Sequence, residues 1–248
     1  MNTAIKKMVC GAGILIGCTG ALMAQEPTAD AKPAEPFAFA DFTWLNGNCR
    51  QKKSILDTPY FTGTFFIDTN YIYDFNRPKD HTISGTTEVG RANEVQVQQL
   101  GFGGDFHYKN VRGRFITQLG MMSTMTPRND QSPGRGQWNL ADAYRYISEA
   151  YGGYHWDVWN GINLDAGQFM SYVGLFSYYN NENWAYQPSF VSSNTPWYFN
   201  GLRLQMFPTD RFKAEILLVN GWQSYGMFNE MPGLGCQFLS EVPKKNGG

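Results

Sequence analysis

The chain carries little charge and almost no asymmetry of charge. Asp, Glu, Lys and Arg make up 17% of its 248 residues and the formal net charge is −1, which excludes the basic face a nucleic-acid partner would demand. It has only three histidines. His81, His107 and His155 fall on a predicted loop and two strand ends, so they read as surface or interface residues rather than as the converging ligands of a zinc site. No apolar run approaches the ~20 residues of a membrane-spanning helix. Four cysteines show no metal-ligand spacing. Cys10 and Cys18 lie in an N-terminal segment read below as a signal. Cys49 and Cys236 are left, free to pair after export or to stay as separate thiols. No Ser, His and Asp arrangement supports nucleophilic catalysis. Gly101-Phe102-Gly103-Gly104 resembles a piece of a phosphate loop, but no helix follows and its surroundings alternate, so these are strand glycines. Glu149 and Asp165 are the best pair for glycosidase-type acid–base work, and a polar wall explains them more simply. The chain is therefore read as a non-enzyme, with no catalytic, cofactor-binding or metal residue.

What is present is aromatic and alternating. Aromatic residues reach 16%, with 14 Tyr, 7 Trp and 27 Gly. A mean hydropathy of −0.39 is too polar for a helical membrane protein, and the aromatic content is too high for a disordered one. From Tyr60 to Asn76 one face reads Phe61, Gly63, Phe65, Ile67, Thr69, Tyr71, Tyr73, Phe75 and the other Thr62, Thr64, Phe66, Asp68, Asn70, Ile72, Asp74, Asn76. Period-two alternation is the mark of a strand with unlike faces. An ordinary strand runs about 5–6 residues, whereas about 9–11 tilted residues cross a bilayer. This one is long enough to cross, with aromatics near both ends of its apolar face, where lipid interfaces lie.

Ahead of it, residues 1–24 read as a secretory signal: Lys6 and Lys7 are the basic region, Met8 to Gly17 the apolar stretch, and Ala24 the cleavage point. A rival reading takes Leu15-Ile16-Gly17-Cys18 as a lipobox that would leave Cys18 lipidated. Residues 25–36 form a flexible, proline-bearing periplasmic leader. Residues 37–59 form an aromatic segment with Phe37, Phe39, Phe42 and Trp44. Residues 60–248 hold the strands.

Seven more strands follow the first: about 93–108, 111–124, 143–156, 162–174, 197–207, 212–222 and 234–242. Val95 and Val97 give way to Leu100, Phe102, Phe106 and Tyr108 on the outward side of the second, and this phase slip near Gln98-Gln99 predicts a bulge. In the fourth, Tyr144, Tyr146, Ala150, Tyr154 and Trp156 share one face and are read, with Tyr71, Tyr73 and Phe75, as interfacial girdles. Tyr178, Tyr179, Trp184 and Tyr186, on a predicted connector, suit sugar stacking as well as they suit a girdle. Connectors switch between long and short: 77–92 long, Lys109-Asn110 short, 125–142 long, a turn at Asn160-Gly161 short, 175–195 long, Pro208-Thr209-Asp210 short. Outer-membrane barrels keep this rhythm of long extracellular loops and short periplasmic turns. Only a closed barrel satisfies the backbone of lipid-crossing strands. The fold class is all-β, a transmembrane antiparallel up-and-down β-barrel with about eight strands present.

The stretch 37–231 resembles the outer-membrane β-barrel porin family described as OmpL-like. The resemblance is carried by Phe-Thr-Trp-Leu-Asn-Gly (42–47), Tyr-Asp-Phe-Asn-Arg-Pro-Lys-Asp (73–80), Glu-Val-Gln-Val-Gln-Gln-Leu (94–100), Thr-Pro-Arg-Asn-Asp (126–130), the run 144–156 and Val-Asn-Gly-Trp-Gln (219–223). It implies a bacterial outer-membrane pore. Such barrels commonly finish on a strand ending in Phe or Trp, and Pro243 to Gly248 has a turn composition instead. The expectation is an incomplete barrel, the N-terminal part of a larger one.

The expected pore-lining residues are Asp68, Asn70, Asp74, Arg112, Arg114, Gln118, Arg145, Glu149, Asn163, Asp165, Arg203, Gln205, Lys213 and Glu215. Both signs occur in similar number. Since strong ion selectivity needs rings of one sign, the expectation is a passive channel for small hydrophilic solutes with weak selectivity. Arg112, Arg114 and Arg145 form a local anion-attracting stripe. The expected surroundings are outer-membrane lipid and diffusing solute. A homo-oligomer is compatible with this class, though no residue marks an interface. The competing readings are a non-conducting barrel acting as adhesin or anchor, and a secreted soluble β protein that binds glycans.

Overall fold

The computed structural model describes residues 56–83, 89–130, 132, 136–174, 176–183, 185–186 and 190–240. The expected signal, leader and nearly all of the aromatic segment, with Cys49, Trp184 and the turn after Val242, lie outside the described residues. Eight antiparallel strands form one up-and-down sheet in chain order: β1 (Phe61–Tyr71), β2 (Val95–Tyr108), β3 (Val111–Thr117), β4 (Ile147–Trp156), β5 (Ile162–Met170), β6 (Tyr198–Thr209), β7 (Phe212–Val219) and β8 (Gly233–Ser240). β1 and β8 are its two edges, so the described sheet is not closed, as an incomplete barrel requires. The long connectors all leave one end of the sheet, and the short turns, Lys109-Asn110, 157–161 and Asp210-Arg211, leave the other.

The bulge predicted near Gln98-Gln99 is present. Asp68 pairs with Gln99 and Thr69 with Val97, leaving Gln98 as the extra residue. An extra residue flips the phase of everything beyond it, so exposed side chains in β2 move from Val95 and Val97 to Phe102, Phe106 and Tyr108.

Several strands are shorter than their sequence pattern. β1 stops at Tyr71 because β2 begins at Val95 and offers no further ladder. Beyond that point Asn93 N–H reaches Ile72 O, and Asp74 N–H is taken by the Asn93 side chain. β3 stops at Thr117. After the sharp turn at Gly120 (φ 94°) the chain enters a one-turn helix, Met122–Met125. β4 starts late because Asn139 caps a short helix, Leu140–Tyr144, by accepting from Asp142 N–H. Tyr144 is therefore not a girdle residue. Its ring stacks on Tyr225 at 5.2 Å, and Tyr225 stacks on Tyr198 at 4.5 Å, within the packed cluster of the long connectors.

The apolar set of the strands points outward and is exposed: Phe65, Ile67, Phe115, Leu164, Leu202, Ile216, Leu218 and Phe238 are all uncovered. The two ends of this face are aromatic. Tyr60 and Tyr108, Tyr154 and Trp156, and Phe212 and Phe238 meet as ring pairs near the short turns. Tyr73 and Phe75 meet by the first long connector. The opposite face is polar and buried.

Candidate functional site

The polar face is a lattice of paired charges laid across neighbouring strands. Arg114 on β3 donates to Glu149 on β4 (Nε to Oε1, 2.8 Å) and to Asp105 on β2 (Nη1 to Oδ2, 2.7 Å). Asp165 on β5 lies between two guanidiniums: Arg203 on β6 (Nη2 to Oδ2, 2.9 Å) and Arg112 on β3 (Nε to Oδ1, 3.3 Å). Lys213 and Glu215, both on β7, pair at 2.5 Å, and Gln205 donates to Glu215 at 3.2 Å. A polar chain continues from Gln205 to Asn163 and on to His155, whose other ring nitrogen faces Asp157 at 3.1 Å. Arg203 also sits over the rings of Phe169 (4.6 Å) and Tyr151 (4.9 Å). Burying a charge is costly unless it is paired and hydrogen-bonded, and the strand register supplies the partners, since Asp165 is opposite Arg203 and Gln205 opposite Glu215.

The expected pore-lining residues divide into three groups. Arg112, Arg114, Glu149, Asn163, Asp165, Arg203, Gln205, Lys213 and Glu215 are all buried members of the lattice on β3 to β7. Asp68 and Asn70 stay on β1, and Gln118 sits just past the end of β3; these three are bound to a connector described below. Asp74 and Arg145 lie outside the strands. Asp74 follows β1, and Arg145 ends the Leu140–Tyr144 helix and faces Asp142 at 3.6 Å. The stripe of Arg112, Arg114 and Arg145 is thus broken, because the helix removes its third member from the sheet and carboxylates hold the other two. Glu149 and Asp165 are each tied to arginine rather than to each other. His155, expected at a surface or an interface, is buried at 4% exposure. Among the described residues no cluster of metal-ligating side chains converges.

Two features of the face were not located from the sequence. Beginning with Leu217, which lies opposite Arg203, and continuing toward the long connectors, Phe169, Phe199, Leu217 and Val219 form an apolar cluster on the same face. The even phase of β7 hid it, since Ile216 and Leu218 outside look no different in composition from Leu217 and Val219 inside.

The other feature is an infolded loop, expected from the sequence in general but not placed there: residues 176–183 and 185–186 of the β5–β6 connector fold onto the polar face. It is closed on itself: Ser177 N–H bonds the Asn183 side chain (2.9 Å), Asn183 Nδ2 returns to Ser177 O (2.8 Å), and Ser177 Oγ donates to Glu182 (2.5 Å). From this knot Tyr179 donates to Glu149 of β4 (2.8 Å), Tyr178 to Gln118 (2.6 Å), and Asn180 and Tyr186 to Asp68 of β1 (both 3.0 Å). The Tyr179 ring meets Phe66 edge-on at 5.3 Å, and Tyr178 meets Trp197 at 5.4 Å. Tyr178 and Tyr179 are therefore consumed by packing and present no open stacking platform for a sugar. Burial pushes the Glu182 carboxyl up to about 7, against the Ser177 hydrogen bond and the Arg114 charge, which lower it. Tyrosines at 178, 179 and 186 were visible as candidates, but period-two reading has nothing to say about where a connector folds.

The family described as beta-barrel porin-2, OmpL-like, matches residues 60–247, which span all eight strands. No curated protein and no solved structure matches the chain.

Proposed function

Because the chain belongs to the beta-barrel porin-2, OmpL-like family, we propose that it acts in the bacterial outer membrane as a passive channel for small hydrophilic solutes. The observation that carries this reading is the inversion of the sheet. Its apolar side chains are exposed on every strand from β1 to β8, while Arg203, Gln205, Glu215 and Asp165 are buried. A water-soluble β protein does not leave so broad an apolar face uncovered; a lipid-facing sheet must, and its inner side is then free to be polar. The paired signs along the polar face support weak selectivity, since no ring of one charge is formed. The connector residues Tyr179, Asn180 and Tyr186 narrow the path by reaching from β4 to β1.

Density at the wall favours one second reading. Arg203, Gln205, Glu215 and Gln118 are under 2% exposed, as in a barrel whose interior is filled by its own side chains. That is the non-conducting anchor. Planar-bilayer recording on the full chain separates the two, with heat-modifiable gel mobility as the check on folding. Stepwise conductance and uptake of a neutral sugar into liposomes are expected. A folded, inserted protein with neither would overturn the channel.

A further inference from the structure

The lattice holds two clusters of opposite local balance. Arg114 faces two carboxylates, Asp105 and Glu149. Arg112 and Arg203 share Asp165, and the Lys213–Glu215 pair stands beside them with Glu215 also acting on Arg203, so three cations meet two carboxylates. Strand chemistry makes this sharing possible. Asp165 pairs across β4 with Gly153, and a Cβ at Gly153 would stand 2.2 Å from Asp165 Oδ1. With no side chain there, Asp165 reaches over β4 to Arg112 on β3 while holding Arg203 on β6. Three strands are thus joined through one carboxylate with 0% exposure.

We infer that Asp165 sets the charge selectivity of the channel, and that the wall it balances admits uncharged polar solutes as readily as ions of either sign. The inference rests on the channel reading above. Arg112 and Arg203 lie on the same face as the path, in surroundings where charges act over distance because water screens them poorly. Asp165 offsets both. Its loss concentrates positive charge at one level of the wall and turns that level into an anion-attracting ring segment. Loss of Glu149 has a smaller effect, because Arg114 keeps Asp105 at 2.7 Å.

The test is the chloride-to-potassium permeability ratio of the full chain, read from reversal potentials in a salt gradient. In Asp165→Asn the ratio is expected to rise roughly fourfold or more, since one charge about 10 Å away changes the access of each ion roughly twofold at an effective dielectric constant of about 80, more at about 20, and in opposite directions for the two ions. Glu149→Gln should raise it less, and Asp165→Asn combined with Arg203→Gln should return it to the wild-type value. A folded Asp165→Asn channel with an unchanged ratio, or a Glu149→Gln ratio equal to it, overturns the inference. Should Asp165→Asn fail to show a heat-modifiable band, Arg203→Gln carries the test with opposite sign: a shift toward potassium is expected, and no shift overturns it. A wild-type protein that folds and does not conduct sinks the channel reading itself, a result distinct from either of these.

Discussion

The two faces of the same strands obey opposite rules. In β6 and β7 the outward residues Leu202, Ile216 and Leu218 are apolar and uncovered, while the inward residues Arg203, Gln205 and Glu215 are charged or polar and sealed. A cytoplasmic β-sandwich would place them the other way round. On the membrane reading proposed above, burial here is not driven by removing apolar surface from water, since that surface stays outside for lipid. Inside, the order comes from partner matching, in which each ionic group must find its counter-charge or pay the cost of isolation. One face is tolerant in composition and the other is specified contact by contact.

Four substitutions or conditions test that contrast. Arg114→Ala leaves buried Glu149 and half-buried Asp105 without their shared partner. Breaking a buried pair in this way costs about 3–5 kcal/mol, so the urea midpoint of the detergent- or liposome-folded protein should fall sharply. A loss under about 1 kcal/mol would mean the inner face is wet and the pairs are surface-like. On the outer face, Ile216→Arg should cost about 2–4 kcal/mol in lipid, while Ile216→Leu should cost almost nothing. A neutral or stabilising Arg would place that face in water and overturn the membrane assignment.

Tyr179→Phe probes the connector. It keeps the ring against Phe66 and deletes the hydroxyl that meets Glu149 and Ser148. The expected loss is about 1–2 kcal/mol, with a rise in single-channel conductance as the segment loosens; unchanged conductance would separate the connector from the path. The smallest effect is one of pH. Glu182 is raised from 4.5 to about 7 by burial, with the Ser177 hydroxyl, Arg114 and Glu149 as its surrounding groups. The folded protein therefore holds a proton that the unfolded chain releases first. Stability from this group is full below about 4.5 and is lost as pH rises toward about 7. Glu182→Gln should flatten the unfolding midpoint across that window, and a wild-type midpoint that rises there would refute the assignment.

How far the sequence could be read differs between strand and connector. Alternation located all eight strands, their order and the bulge at Gln98, because a two-residue period is a local property that one extra residue must visibly shift. It overran where the chain leaves the ladder. Residues 72–76 and 118–124 keep a plausible pattern, but a strand ends where its neighbour stops offering partners. Arg145 was misread for a related reason, since its helix start depends on the cap at Asn139, and capping competes with alternation only once β3 has ended. Most of the expected wall residues do share one face. Their pairing was hidden because Asp165 meets Arg112 across a glycine, a contact between residues far apart in the chain.

By itself the sequence determined the chemical character of each side of the sheet. Side-chain chemistry repeated every second residue is enough to say that one face is apolar, the other polar, and the strands long enough to cross lipid. Only the tertiary structure decided what the polar face is made of. Register chose which acid meets which base, Gly153 let one carboxylate serve two arginines, and the fold of residues 176–183 and 185–186 onto β1 and β4 decided what covers that face. The physical reason is range: hydrophobic alternation is written between neighbours in the chain, whereas a buried ion pair is written between strands.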